Sequence, residues 1–314
     1  MTVTRNPASP EIKNGAFVRQ ENAFRNRITA DGSSGYKAEP GRYHLYVSLA
    51  CPWAHRAMIV RKLLKLEDVI TMSVVNPIRD ERGWAFGDGP GFSEDPIRGF
   101  EFLSEAYLAT DPDYQGRWTV PAVWDRATEA IVTNDYPVIT TQLGTEFVDF
   151  AEPGVDLYPE ALRPEIDRLG EELFENVNNG VYKAGFATTQ RAYEEAFDAL
   201  FKTLDDLERR LSTRRYLVGH QLTEADIKLF PTLVRFDAVY FGHFKCNLRR
   251  LVDYPNLWGY TRDLYSRPGF GDTVDFDHIK RHYYATHDNI NPTRIVPKGP
   301  DLDWTAPHKR DTLP

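Results

Sequence analysis

Apolar and polar positions follow two regimes along this chain. Between residues 41 and 147, short apolar runs alternate with helical patterns, and beyond about 160 the spacing is helical throughout. The run Tyr43-His44-Leu45-Tyr46-Val47-Ser48-Leu49 predicts a strand over about 42–49. Ala54, Ala57, Val60, Leu63 and Leu64 recur on one helical face and predict a helix over 52–66. A second strand follows at 69–75 and a helix at 100–109. Residues 120–124 and 130–132 are short apolar runs around a polar turn, which reads as a hairpin. Asp135 then opens a helix to about Phe147. Strand-helix-strand, helix, two strands, helix is the order of the thioredoxin fold.

The later spacing predicts helices over 165–179, 189–211, 223–240, 255–265 and about 276–284. The expected fold is therefore an α/β unit followed by an all-α unit. Residues 1–40 are polar and broken by Pro and Gly, an N-terminal extension. The thioredoxin-like domain spans 41–147, an acidic Pro/Gly-containing linker 148–160, and the helical domain 161–285. Residues 286–314 hold five prolines and read as an irregular tail. The stretch 76–98 is rich in Gly, Pro and Asp and carries Trp84 and Phe86; loops that long inside a compact domain are usually functional.

Bulk properties narrow the class. A chain of 314 residues suits about two domains of roughly 150 residues each. A net charge of -8 argues against general nucleic-acid binding, which needs a basic face. No apolar run approaches the ~18 residues of a membrane span, and 1–9 lacks a signal-peptide core. Two cysteines are too few for a disulfide scaffold, so a cytoplasmic enzyme with reduced thiols is expected.

Of those two, Cys51 carries the clearest chemistry. It lies between a predicted strand and a helix that opens Pro52-Trp53-Ala54. Proline suits the first helical position, where its missing N–H costs nothing. Unsatisfied N–H groups and the positive end of the helix dipole stabilise a thiolate there, and the thiolate is the nucleophile. A free cysteine is otherwise most often a small buried hydrophobe, which is the role expected of Cys246. Pro121 follows Val120 at the start of a strand. Thioredoxin-like domains hold a cis proline there, facing the active-site cysteine, so that the preceding backbone can pair with a thiol peptide. Otherwise it is an edge-strand proline.

Six stretches now stand in order: Cys51-Pro52-Trp53-Ala54-His55-Arg56, Gly83-Trp84-Ala85-Phe86, Arg117 to Asp125, Asn178 to Phe186, Thr223-Glu224-Ala225-Asp226 and His282-Tyr283-Tyr284. Together they resemble the xi class of glutathione transferases, the glutathionyl-hydroquinone reductases, over nearly the whole chain. The resemblance implies a homodimer that uses glutathione as co-substrate and acts on aromatic hydroquinone conjugates. It implies that Cys51 attacks the sulfur of the conjugate, releasing free hydroquinone and leaving a mixed disulfide for a second thiol to resolve. It also implies that Trp84, Arg117 and the Val120-Pro121 backbone hold the tripeptide thiol. Tyr182 and one of Tyr283 and Tyr284 line the aromatic pocket, where a phenol can donate a proton. Taken alone, Arg117 would read as a surface charge and each tyrosine as a core aromatic. Ala54 stands where a Cys-x-x-Cys partner would be, so turnover needs an external thiol.

One stretch departs from the family. Asn-Glu-Ser-Ser, whose acid and hydroxyl bind the γ-glutamyl end of glutathione, is replaced by Asn134-Asp135-Tyr136-Pro137. Asp135 keeps the acid, but Tyr136 crowds that end, which favours another small thiol such as mycothiol; alternatively its hydroxyl bonds the same ligand. Thr223 to Asp226 reads as a capping box, without a catalytic role. His278 and His282 are four apart on one helix but lack further ligands, so no metal is expected. Two other readings share the residues: an omega-like thioltransferase or dehydroascorbate reductase, and a non-catalytic binding protein of transferase fold.

Overall fold

The computed structural model of the protein describes residues 11–314. The signal-peptide reading of 1–9 lies outside the described residues. Contacts divide the chain into two units, Gln20–Val155 with Asp275–Val296, and Asp156–Val274 with 11–19 and Pro297–Pro314.

The N-terminal extension contains a hairpin that the sequence reading missed. Strands β1 (Glu11–Lys13) and β2 (Ala16–Val18) pair antiparallel around Asn14 and Gly15, at φ 52° and 82°. Asn-Gly is the preferred pair for a two-residue turn needing positive φ at both positions.

The first unit is a thioredoxin-like domain with a mixed four-stranded sheet. Strand β3 (Tyr43–Val47) is buried at every position, as befits an inner strand covered on both faces. Helix α1 (Pro52–Leu63) leads to β4 (Thr71–Val74), which lies parallel to β3. Helix α2 (Leu103–Thr110) precedes the hairpin of β5 (Ala122–Asp125) and β6 (Ala130–Thr133), and β5 pairs antiparallel with β3. The strand order is β4-β3-β5-β6. Helix α3 (Tyr136–Thr145) packs on α1. Arg42 donates two hydrogen bonds to Asp125, of 2.9 and 2.8 Å, and ties the start of β3 to the end of β5.

The second unit is helical apart from the β1–β2 hairpin. Helix α4 (Arg163–Leu173) runs into a π turn, Phe174–Asn178, and then α5 (Gly180–Gly185). Helix α6 (Gln190–Leu211) is followed by α7 (Glu224–Arg235), which ends in a second π turn, Phe236–Tyr240, and by α8 (Pro255–Tyr265). Thr223 and Asp226 form the capping box of α7. The buried Asp226 carboxylate also accepts from Leu217 N at 2.9 Å and Tyr260 OH at 2.8 Å, so the motif pins a loop and a second helix as well.

Helix α9 (Phe276–Thr286) groups with the first unit, whereas the sequence expectation set it in the helical domain. Periodicity identifies a helix but not its neighbours. Here they are set by buried His278 and His282, whose rings bond carbonyls of the 76–102 loop. Among the described residues, no helix is long and apolar enough to cross a membrane.

Candidate active site

Cys51 is the N-cap residue of α1, with extended backbone and Pro52 in the first turn. β3 ends at Val47, and the turn that follows is closed by Cys51 N donating to Ser48 O at 3.0 Å. The first turn of α1 holds no acidic side chain, so no carboxylate offsets the positive helix end beside the sulfur. Cys51 is partly exposed, and its Sγ donates to the Val120 carbonyl at 3.3 Å. The Val120-Pro121 peptide is cis. Cys246 is fully buried, and burial pushes its thiol pKa well up, which keeps it protonated and unreactive.

A polar brace that sequence reasoning missed holds the segment before Val120. Tyr107 OH donates to Thr119 O at 2.8 Å, and Asn134 Nδ2 donates to Thr119 Oγ1 at 3.1 Å and to Tyr107 OH at 3.2 Å. Asn134 in turn exchanges bonds of 3.1 Å with the backbone of Phe24. The signal was an asparagine closing a strand, indistinguishable in sequence from a turn residue.

Asp135 is the N-cap residue of α3 and accepts from Asn22 Nδ2 at 3.0 Å. Tyr136 begins that helix, and its ring lies 4.6 Å from the ring of Trp53. Arg56 sits 4.7 Å over Trp53, so α1 and α3 share an aromatic and cationic stack next to Cys51. Arg117 is half-buried, and its backbone N donates to Gln20 Oε1 at 3.1 Å. The backbone carbonyl of Arg117 accepts from Tyr114 OH at 2.8 Å.

Trp84 comes from the long loop. Its ring stacks on His282 at 4.9 Å, and the Arg79 guanidinium lies 5.4 Å from its centroid. On α9, Tyr283 is 1 % exposed and packs against His282 and His287, whereas Tyr284 keeps accessible surface. Burial raises the Tyr284 phenol above its ordinary pKa of 10, so it holds its proton at neutral pH.

Tyr182 belongs to the second unit. Its ring meets Phe17, Phe186, Tyr240 and Phe244, with the Arg19 guanidinium 4.9 Å over its face. Direct contacts thus join Cys51 to Val120-Pro121, Trp53 to Tyr136, and Trp84 to the helix of Tyr283 and Tyr284. Among the described residues, no cluster of three or more His, Cys, Asp and Glu side chains could hold a metal ion.

The geometry has counterparts among known proteins. Models of the N-terminal and C-terminal domains of glutathione S-transferase match residues 50–146 and 190–263. Glutathionyl-hydroquinone reductase YqjG of Escherichia coli is 51% identical over 304 residues, covering 95% of this chain and 93% of that protein. The glutathione-bound structure of YqjG superposes with a TM-score of 0.90 at 52% identity, covering 92% of this chain and 96% of that one. Glutathione-S-transferase Xi from Phanerochaete chrysosporium superposes with the same TM-score, 0.90, at 49% identity, over 94% and 95% of the two chains.

Proposed function

Because the chain belongs to the xi class of glutathione transferases, the family of the glutathionyl-hydroquinone reductases, we propose that it reduces glutathionyl hydroquinones to free hydroquinones with glutathione. The observation that carries the reading is Cys51, a partly exposed residue at the start of α1 whose sulfur meets the Val120 carbonyl.

The Cys51 thiolate attacks the glutathionyl sulfur of the conjugate. The carbon–sulfur bond breaks, its electron pair stays on the aromatic carbon, and a phenol supplies the proton that completes the hydroquinone. A mixed disulfide of Cys51 and glutathione remains. A second glutathione attacks it, releases glutathione disulfide and restores the thiolate. Conjugate plus glutathione gives hydroquinone plus disulfide, so atoms and electrons balance. Ala54 leaves no resolving cysteine in the motif, in keeping with an external thiol.

Trp84, Arg117, the Val120 backbone and Asp135 hold the thiol in this reading. Arg117 would meet a glutathione carboxylate by charge-assisted bonds. Tyr136 is 8 % exposed and packed on Trp53, which supports a packing role for its ring; glutathione, bound in the structure of the relative YqjG, is the thiol in this reading. Tyr182, in the second unit, and Tyr284, in the first, are the phenols that this reading assigns to the hydroquinone. Cytoplasmic location and a homodimer belong to the same proposal.

Cys51→Ser should abolish both release of hydroquinone and the mixed disulfide seen by mass spectrometry, while Cys246→Ser should retain both. Wild-type activity in Cys51→Ser would refute the mechanism. Calorimetry with glutathione and mycothiol side by side should show tighter glutathione binding; the reverse order would reassign the thiol.

A further inference from the structure

Two buried histidines of α9 grip the loop that carries Trp84. His282 Nδ1 lies 2.8 Å from Pro77 O, and one helical turn earlier His278 Nε2 lies 2.7 Å from Pro90 O. A carbonyl oxygen only accepts, so both rings donate: His282 carries its proton on Nδ1 and His278 on Nε2. The contacts bracket Trp84, whose ring stacks flat on His282.

The loop is built to receive the grip. His278 is 1 % exposed, and its Nδ1 is buried with no hydrogen-bond partner among the described residues. Its polar bonding therefore rests on the Pro90 carbonyl. Gly91 is at φ +77°, and a Cβ there would stand 2.7 Å from His278 Nε2. Glycine at 91 thus meets a backbone requirement and makes room for the ring. Further backbone bonds fold the loop on itself: Asn76 N to Ala85 O at 2.8 Å, Phe86 N to Glu101 O at 2.9 Å, and Leu103 N to Trp84 O at 2.9 Å.

We propose that His278 and His282 are positioning residues that staple the 76–102 loop to α9, fixing Trp84 for thiol binding on the same support as Tyr284. The inference rests on the assignment of Trp84 to the thiol site in the proposed function. Their ring bonds go to the Pro90 and Pro77 carbonyls, so they act through the loop. Loss of the staple should weaken thiol binding and raise KM for the glutathionyl conjugate, with kcat little changed.

The nitrogen used by each ring gives a selective test. A glutamine amide nitrogen mimics Nε2 of histidine, and an asparagine amide nitrogen mimics Nδ1. Glutathione affinity is measured by calorimetry, and KM and kcat with a glutathionyl hydroquinone. His278→Leu and His282→Leu should each weaken glutathione binding by about tenfold. His278→Gln and His282→Asn should recover most of that loss, while His278→Asn and His282→Gln should not. Gly91→Ala should resemble His278→Leu. If the leucine variants do not fold, the Gln/Asn pair at each position carries the same comparison between polar side chains of similar size. Wild-type affinity in the leucine variants, or equal affinity of the Gln and Asn variants at both positions, overturns the staple alone. No glutathione binding by wild type overturns the staple together with the thiol assignment on which it rests.

Discussion

Tyr284 and its neighbour show what a residue-level reading of sequence resolves and what it leaves open. The His-Tyr-Tyr motif singles out both phenols without ranking them. Burial separates them, because Tyr283 is 1 % exposed and packs against two histidine rings, whereas Tyr284 keeps surface. Tyr284→Phe removes the hydroxyl and keeps the ring, so it should lower kcat by about 10²-fold, at the lower end for a lost general acid. Tyr283→Phe should stay near wild type. Steady-state kinetics beside thermal melts checks this, and the opposite pattern would move the proton donor to Tyr283. Since its pKa is raised, Tyr284 should remain a donor up to and beyond pH 10, so no loss of kcat in the neutral range should trace to it. Cys51 was legible because strand, cysteine, proline and helix are all local signals. Asn134 and Tyr107 were not, because their bonds join residues far apart in sequence.

Among the elements, strands and helices of the thioredoxin-like sheet are legible as short apolar runs and helical patterns, although β3 and β5 are buried at every position and so show no alternation. What spacing omits is the lock between them. The Asp125 carboxylate is fully buried. Burial alone would raise its pKa, but bonds from Arg42, the Ala127 N–H and Thr128 outweigh that and hold it below the usual carboxylate value. A depressed pKa contributes stability above the unfolded value, and that contribution is lost as pH falls through the folded value. Asp125→Asn should therefore cost about 3 kcal/mol at pH 7, and the deficit should shrink below about pH 4. Urea unfolding of both proteins at pH 7 and pH 3 tests it. A deficit that grows on acidification would show that the charge is not the source. Length and composition mark the long loop, yet its staples are invisible in sequence, because the two histidines belong to a helix almost two hundred residues later.

Across the molecule, the ends of the described chain carry more order than their composition suggests. The tail lacks regular elements, but Arg310 is 2 % exposed and donates to the carbonyls of Leu211, Arg214 and Arg215. Trp304 packs on Tyr265 at 4.9 Å and Trp258 at 4.8 Å. Such singular contacts leave no periodic trace, which is why prolines dominated the sequence reading. Arg310→Ala should lower stability by about 2 kcal/mol and raise hydrogen exchange across 297–314; an unchanged melting temperature would mean the latch contributes nothing measurable. The π turn at Phe174–Asn178 acts on a longer reach. An α-helix rotates about 100° per residue, and a π turn holds roughly one residue more than the α turn it replaces. It therefore works as a phase shifter. The azimuth of Tyr182 is offset by about a quarter-turn from the course set by Arg163–Leu173, so its ring takes a bearing that an unbroken α-helix would give to another residue.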